Sequence, residues 1–395
     1  MPKRFLNLLC SIIKQLFLIF IELVFPTECI FCGKYGKILC DRCYKWLPLS
    51  IPECYVCRQL SKGSKTHHKC TRFNIDFENK DRKIILESVT SIPESIQSKS
   101  GVEDNRTILN GVFSRVFVGW QYNKVAKVIM KQFKFSGAFS IADYLSKKLS
   151  SRLDEIGFFD INFYSNSNEK TNDTLVKNGH IQREDNYESD RCTYNNYIQE
   201  IFFIPIPLHK KKLKSRGFNQ SKLITERLAK IYYMHEIPKL LEKVIDNKTQ
   251  SHLKVADRMK NAENLFQVDS AALQSLKKYI SFREGITSLS KEEIKFLKYE
   301  GLFINCSYDQ NGLNTSTNKT LYSYRLVVVD DVISTGYTLE SAGSQILKSI
   351  FADYFLSKLY YDNRLVIEAV GLFRGCKVIS KNHKNTIPNK ISMQS

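Results

Sequence analysis

Seven of the chain's eleven cysteines fall between positions 29 and 70, and no other feature limits the fold as strongly. They are Cys29, Cys32, Cys40, Cys43, Cys54, Cys57 and Cys70, spaced C-x2-C-x7-C-x2-C-x10-C-x2-C, with His67 and His68 just ahead of the last. A C-x2-C pair on a tight turn puts two thiolates on one side of the backbone, at the spacing a tetrahedral zinc ion requires. The simplest sorting gives two sites. Cys29, Cys32, Cys40 and Cys43 make one; Cys54, Cys57 and Cys70 make the other, with His67 or His68 as fourth ligand. Interleaved pairing fits the same spacing. A disulfide framework is the alternative and needs an oxidising compartment. The zinc expected is structural, because every ligand position is filled and no Glu stands nearby as a base. A stretch of about 45 residues buries little core, so metal would supply its folding energy.

Upstream, residues 5–25 read FLNLLCSIIKQLFLIFIELVF behind Lys3 and Arg4. That is about the length that crosses a bilayer. The basic start resembles a signal peptide, but no small-x-small cleavage site precedes Cys29. Asn7, Ser11, Lys14, Gln15 and Glu22 mark a polar side, and Lys14 and Glu22 are costly in lipid. The favoured expectation is an amphipathic helix over 1–26 that docks on protein, in a cytoplasmic chain. Membrane attachment is the competing reading, and would put the chain at the inner face of the membrane.

A length of 395 residues predicts two or three domains. With 43% hydrophobic and 25% charged residues, the chain is neither collagen-like, wholly disordered nor a multi-span membrane protein. Lys and Arg number 59 against 40 Asp and Glu, a formal charge of +19 that suits an anionic partner.

Along the chain, 27–72 is the metal region and 73–115 reads as a linker or insertion. Residues 116–395 form the main domain. Strand-like runs at 116–118, 201–206, 325–329 and 365–373 alternate with helical patterns at 125–133, 141–153, 223–233 and 338–348. Alternation of this kind predicts α/β architecture with a parallel sheet. Two polar stretches, 155–200 and 269–321, read as insertions, the second with helix-like pieces at 271–279 and 291–299.

The segment LVVVDDVISTGYTLESAGSQIL is the most informative after the cysteines. An apolar strand ends in Asp330 and Asp331, and a short loop leads into a helix. Ligands bind at the carboxyl edge of parallel sheets, where such loops lie. Amides from Ile333 through Ser334, Thr335, Gly336, Tyr337 and Thr338 can cradle a phosphate at the positive end of the helix dipole. Gly336 allows close approach and positive φ. Ser334, Thr335 and Thr338 add hydroxyl donors, and Asp330 and Asp331 suit a vicinal diol, directly or through Mg2+. The loop lacks the Walker pattern and the G-x-G-x-x-G pattern.

A second constellation is IPIPLHKKKLKSRGFNQSKLI. Behind a Pro-x-Pro strand end come Lys210, Lys211, Lys212, Lys214 and Arg216, then Phe218. This run suits a pyrophosphate or a nucleic-acid backbone, with the Phe218 ring as a stacking face.

Residues 326–338 match the 5-phosphoribosyl-1-pyrophosphate (PRPP) signature of type I phosphoribosyltransferases, four apolar residues followed by D-D-x3-T-G-x-T. Tyr337 stands where that signature usually has a small residue. The order of blocks extends the likeness: paired cysteines, FKFSG, the IPIPL to RGFNQS run, then Thr249, Gln250, Leu253, Arg258, Asn261 and Phe266, then DDVISTGYT. Together they resemble the ComF/GntX family of competence-associated phosphoribosyltransferase-like proteins with an N-terminal double zinc ribbon. The resemblance covers most of the chain outside 73–115, 155–200 and 269–321. The family often has C-x2-C where this chain has His67, His68, Lys69 and Cys70.

The resemblance implies a type I phosphoribosyltransferase-like sheet flanked by helices and a small zinc-ribbon module. It implies PRPP or another sugar phosphate as ligand, with Mg2+, and a part in handling single-stranded DNA during natural transformation. It does not imply glycosyl transfer by every member. An active phosphoribosyltransferase on an unknown acceptor is one alternative. A non-catalytic zinc scaffold for a helicase or another uptake-machinery protein is the other.

Overall fold

The computed structural model describes residues 26–71, 111–135, 138–159, 196–245, 265–302, 320–334 and 336–375. Among them the most continuous apolar run builds the centre. In Thr320–Ile333, Val327, Val328 and Val329 are all fully buried, as expected of a strand covered on both faces.

Strands β1 (Arg115–Gln121), β2 (Asn196–Pro205), β3 (His235–Glu236), β6 (Thr320–Ile333) and β7 (Leu365–Arg374) form one sheet in the order β1-β7-β6-β2-β3. Every neighbouring pair is parallel. Strands β4 (Leu241–Lys243) and β5 (Phe266–Val268) make a separate antiparallel pair.

Helices cover both faces. On one side lie α1 (Lys124–Phe135), α2 (Ala138–Glu155) and α4 (Gln220–Tyr232), whose apolar stripes share a core with Phe203, Val327 and Leu372. On the other lie α5 (Ser270–Arg283), α6 (Lys291–Tyr299), α7 (Tyr337–Phe351) and α8 (Tyr354–Tyr361), packed on Ile204, Val328 and Ala369. A short, wholly unburied helix, α3 (Lys210–Arg216), sits between β2 and α4.

This winding places the site. The chain leaves β2 toward β3 on one side of the sheet, and leaves β6 toward β7 on the other. The crevice between the carboxyl ends of β2 and β6 is therefore the topological switch point, where open α/β sheets bind ligands. Pro205 pairs with Val329 there, and the Ile206 amide donates to the Val329 carbonyl at 2.9 Å.

The polar stretch expected to be an insertion at 269–321 begins inside the core. Ala272, Leu276, Tyr279 and Ile280 follow helical spacing and are buried, as is Leu297 of α6. The Ser, Gln and Lys residues between them mask that stripe in the sequence. Apolar burial also extends past the expected boundaries at 115 and 155. Val112 and Phe113 are buried ahead of β1, and Phe158 is buried after α2.

Phe158 has a specific task. Arg115 on β1 and Arg325 on β6 flank Glu368 on β7, with Arg115 Nε 3.0 Å from Glu368 Oε1 and Arg325 Nε 2.7 Å from Oε2. Both guanidinium groups also donate to the Phe158 carbonyl. The Arg115 guanidinium lies 3.9 Å from the Phe158 ring centroid. All three charged side chains are essentially sealed from water.

The metal region packs along the outer edge of β1. Gln121 N donates to Pro48 O, Ser50 N to Gly119 O and Thr66 N to Ser114 O. An edge strand that would otherwise present unpaired amides is thereby covered.

Candidate functional site

Two cysteine groups come together as the sequential sorting predicts. The ligand atoms of Cys29, Cys32, Cys40 and Cys43 lie within 4.8 Å of one another, and so do those of Cys54, Cys57, His67 and Cys70. All seven cysteines are free thiols. Cys32 Sγ and Cys40 Sγ stand 3.7 Å apart, against the roughly 2.05 Å of a disulfide. Tetrahedral zinc with Zn–S near 2.3 Å spaces its sulfurs by about 3.8 Å, so the donor set fits that ion.

His67, not His68, completes the second group. Its Nδ1 lies 3.2 Å from Cys57 Sγ, and its Nε2 lies 3.2 Å from the Leu60 carbonyl. A proton on Nε2 donated to Leu60 leaves Nδ1 as the free donor, the arrangement that orients histidine ligands. His68 instead lines a cavity with Thr71, Phe113 and Tyr360.

The backbone prepares both groups for a cation. Burial pushes the Cys29 thiol up, but amides of Cys40, Cys32 and Phe31 outweigh it and bring the thiol down to about 6. Cys54 is lowered in the same way: burial acts against it, and the amides of Cys57, His67 and Val56 prevail. Burial and the neighbouring thiols push Cys70 up to about 12. Crowded thiols ionise together only against a positive ion.

The two knuckles share one backbone turn. Gly33 N donates to Cys29 O at 2.8 Å, and Arg58 N donates to Cys54 O at 2.9 Å. Both residues are left-handed, with φ 75 at Gly33 and φ 64 at Arg58. Glycine takes this conformation freely, whereas an arginine there costs about 1 kcal/mol.

The loop after β6 opens at the switch point. Gly336 has φ 88 and precedes the first residue of α7, and no side chain caps that helix. Its first amides thus face the crevice without a side-chain acceptor from the cap position. Ser334 is exposed, and Tyr337 and Thr338 are half-buried. The Ile333 side chain is buried and fills the space above Gly371. Thr335 lies outside the described residues.

The two aspartates are in contact but differ in burial. Asp330 is buried, accepting from the Asp331 amide at 2.9 Å and from the Ser221 hydroxyl at 3.3 Å. Burial, reinforced by the Asp331 charge, pushes its carboxyl up to about 8. Asp331 is only half-buried, and is the more accessible carboxylate of the pair.

The basic run forms α3 at the neighbouring strand end. His209 caps it, and Gly217 ends it with φ 83. Lys210 pairs with Glu242 at 2.6 Å on the surface, and Arg216 Nη1 donates to Gln220 Oε1 at 2.6 Å. Lys211 and Lys214 are exposed, and Lys212 is half-exposed. Asn219 caps α4 and holds the Ile206 carbonyl at 2.9 Å, which pins both ends of the loop. Phe218 is half-buried against the core, so only part of its ring remains for stacking.

Three residues of the second knuckle, flagged by no motif, reach the loop or the elements that flank it. Arg58 Nη2 donates to the Ser334 carbonyl at 3.3 Å. Tyr55 donates to Glu340 in the first turn of α7 at 2.9 Å. Glu53 accepts from Arg58 at 3.0 Å and from Arg374, at the end of β7, at 2.9 Å. The only sequence sign was Arg58 itself, an arginine where the first knuckle has Gly33.

The block residues Thr249, Gln250, Leu253, Arg258 and Asn261 lie outside the described residues, as does the apolar stretch 1–25; Phe266 is buried in β5. Among the described residues no helix is long and apolar enough to cross a membrane. No protein-family model matches the chain, and no curated protein matches it.

Proposed function

We propose that the chain is a ComF/GntX-like protein with a type I phosphoribosyltransferase-like domain. In this reading it grips PRPP or a related sugar phosphate at the loop after β6 and handles single-stranded DNA through α3. The observation that carries the reading is a juxtaposition: the D-D-x3-T-G-x-T loop and the lysine-bearing helix leave adjacent strand ends at the switch point.

The 5-phosphate would take the amides from Ser334 to Thr338 and the α7 dipole. Asp331 would meet the ribose diol or a Mg2+ ion. Asp330 holds the Asp331 amide and the first turn of α4, so its part is to fix the strand end. Lys210, Lys211, Lys212, Lys214 and Arg216 would neutralise pyrophosphate or the DNA backbone. Both metal groups would hold structural zinc.

Calorimetric titration of the full chain with PRPP and Mg2+, repeated with single-stranded DNA present, tests the reading. Binding that Asp331→Asn abolishes is expected, with competition by DNA. Absence of PRPP binding overturns it. The intact signature also favours an active transferase, for which pyrophosphate release dependent on Asp331 is the readout. A non-catalytic scaffold instead predicts partner capture that survives Asp331→Asn.

A further inference from the structure

Three side chains of the second metal knuckle reach the loop after β6 or the elements that flank it. Arg58 holds the Ser334 carbonyl at 3.3 Å. Tyr55, 1% exposed, bonds Glu340 at 2.9 Å and accepts from the Phe113 amide at 3.2 Å. Glu53 takes Arg58 and Arg374 on the same oxygen, Oε1. Arg374 ends the strand that abuts the loop: the next amide, Gly375, donates to Ile333 O at 2.9 Å. A Cβ at Gly375 would lie 2.9 Å from Ser334 Cα. One carboxylate thus serves two guanidinium groups beside Ser334.

The first knuckle supplies the contrast. It makes the same turn with Gly33 and packs with α1, α2 and α4 on the opposite face of the sheet. At the second knuckle an arginine occupies the strained position. Such outliers persist where the surroundings hold them for a purpose. The side chain that glycine lacks is the one that reaches the loop.

We propose that Arg58 is a positioning residue that couples the second metal group to the loop after β6. Metal held by Cys54, Cys57, His67 and Cys70 fixes the 53–58 turn. Arg58 then fixes Ser334, and with it the amides that precede α7. Coupling of this kind is reciprocal, so a ligand on the loop also slows metal release from the second group. Only this last clause rests on the sugar-phosphate reading.

The test uses the full zinc-loaded chain. Amide hydrogen exchange is followed by mass spectrometry over peptides spanning 332–341, in wild type, Arg58→Gly and Arg58→Lys. Arg58→Gly places at the second knuckle the residue the first one uses, so both metal equivalents are retained. Exchange over 332–341 is expected to rise about tenfold, the fold-change of one charge-assisted hydrogen bond. Arg58→Lys restores part of the protection, and peptides covering 29–43 are unchanged. Wild-type protection in Arg58→Gly overturns the coupling.

Zinc release to a colorimetric chelator is then timed with and without PRPP and Mg2+. Slower release from wild type, but not from Arg58→Gly, supports the reciprocal arm. Equal slowing in both proteins overturns it. PRPP that fails to bind wild type, alongside faster exchange in Arg58→Gly, sinks the sugar-phosphate reading and leaves the coupling standing.

Discussion

Replacing Glu368 with Gln probes the centre of the fold. The substitution keeps the shape of the side chain and removes the charge that faces two guanidinium groups. Arg115 and Arg325 are each 1% exposed and Glu368 is 0% exposed, so water cannot take over. Removing one partner of a buried ion pair costs about 3–5 kcal/mol. Two cations depend on this carboxylate, which puts the expectation near the upper end, about 5 kcal/mol. Urea unfolding is the assay. With a slope of about 2–3 kcal/mol per molar, the midpoint should fall by roughly 2 M. A second variant separates a lost charge from a damaged sheet. Arg115→Met, Arg325→Met and Glu368→Leu together remove all three charges, and should recover most of the loss. A single variant less than about 1 kcal/mol below wild type, or a triple variant no better than the single, would refute the reasoning.

Glu236 is buried, and burial, helped by the Glu226 charge, pushes its carboxyl up to about 7. The protonated acid favours the fold, so its contribution is complete below about pH 4.5 and is lost as pH rises through 7. Glu236→Gln should therefore match wild type near pH 4.5 and exceed it by about 1–3 kcal/mol at pH 8, read from urea midpoints. Each chain should carry two zinc equivalents by metal analysis, one lost in Cys43→Ser and the other in Cys54→Ser. On the proposed DNA-handling reading, neutralising Lys210, Lys211, Lys212 and Lys214 to Gln should flatten the salt dependence of single-stranded DNA binding by about 0.7 in log–log slope per lost phosphate contact. Gly343→Val should destabilise by about 1–3 kcal/mol, because a Cβ there already lies 2.5 Å from Phe113 Cζ.

The parts of the fold legible in the sequence were those with uninterrupted local patterns. The Val327–Val329 run, the C-x2-C pairs and the glycine before α7 each state their conformation within a few residues. What stayed hidden depends on distant partners. Tyr279 looks like an aromatic in a polar stretch until Glu200 and His235 are placed beside it, 3.2 and 3.1 Å from its hydroxyl. His67 and His68 are adjacent, and only the distant Cys57 thiol and Leu60 carbonyl single out the first. Asp330 and Asp331 read as twins, yet the first turn of α4 takes one and leaves the other open. Arg58 carries a hint in its left-handed turn, but its target lies 276 positions away.

Strand β1 has a single sheet neighbour, β7, and the Arg115–Glu368 contact joins residues 253 positions apart. During synthesis at about 5–20 residues per second, β1 therefore waits roughly 13–50 s for its partner to leave the ribosome. Among the described residues, the metal region is made before β1 and lies against its other edge, so it can shield that strand in the interval. If both groups were left without the metal they could hold, the danger to this protein would then come at birth, through association of nascent chains, more than through decay of the finished molecule.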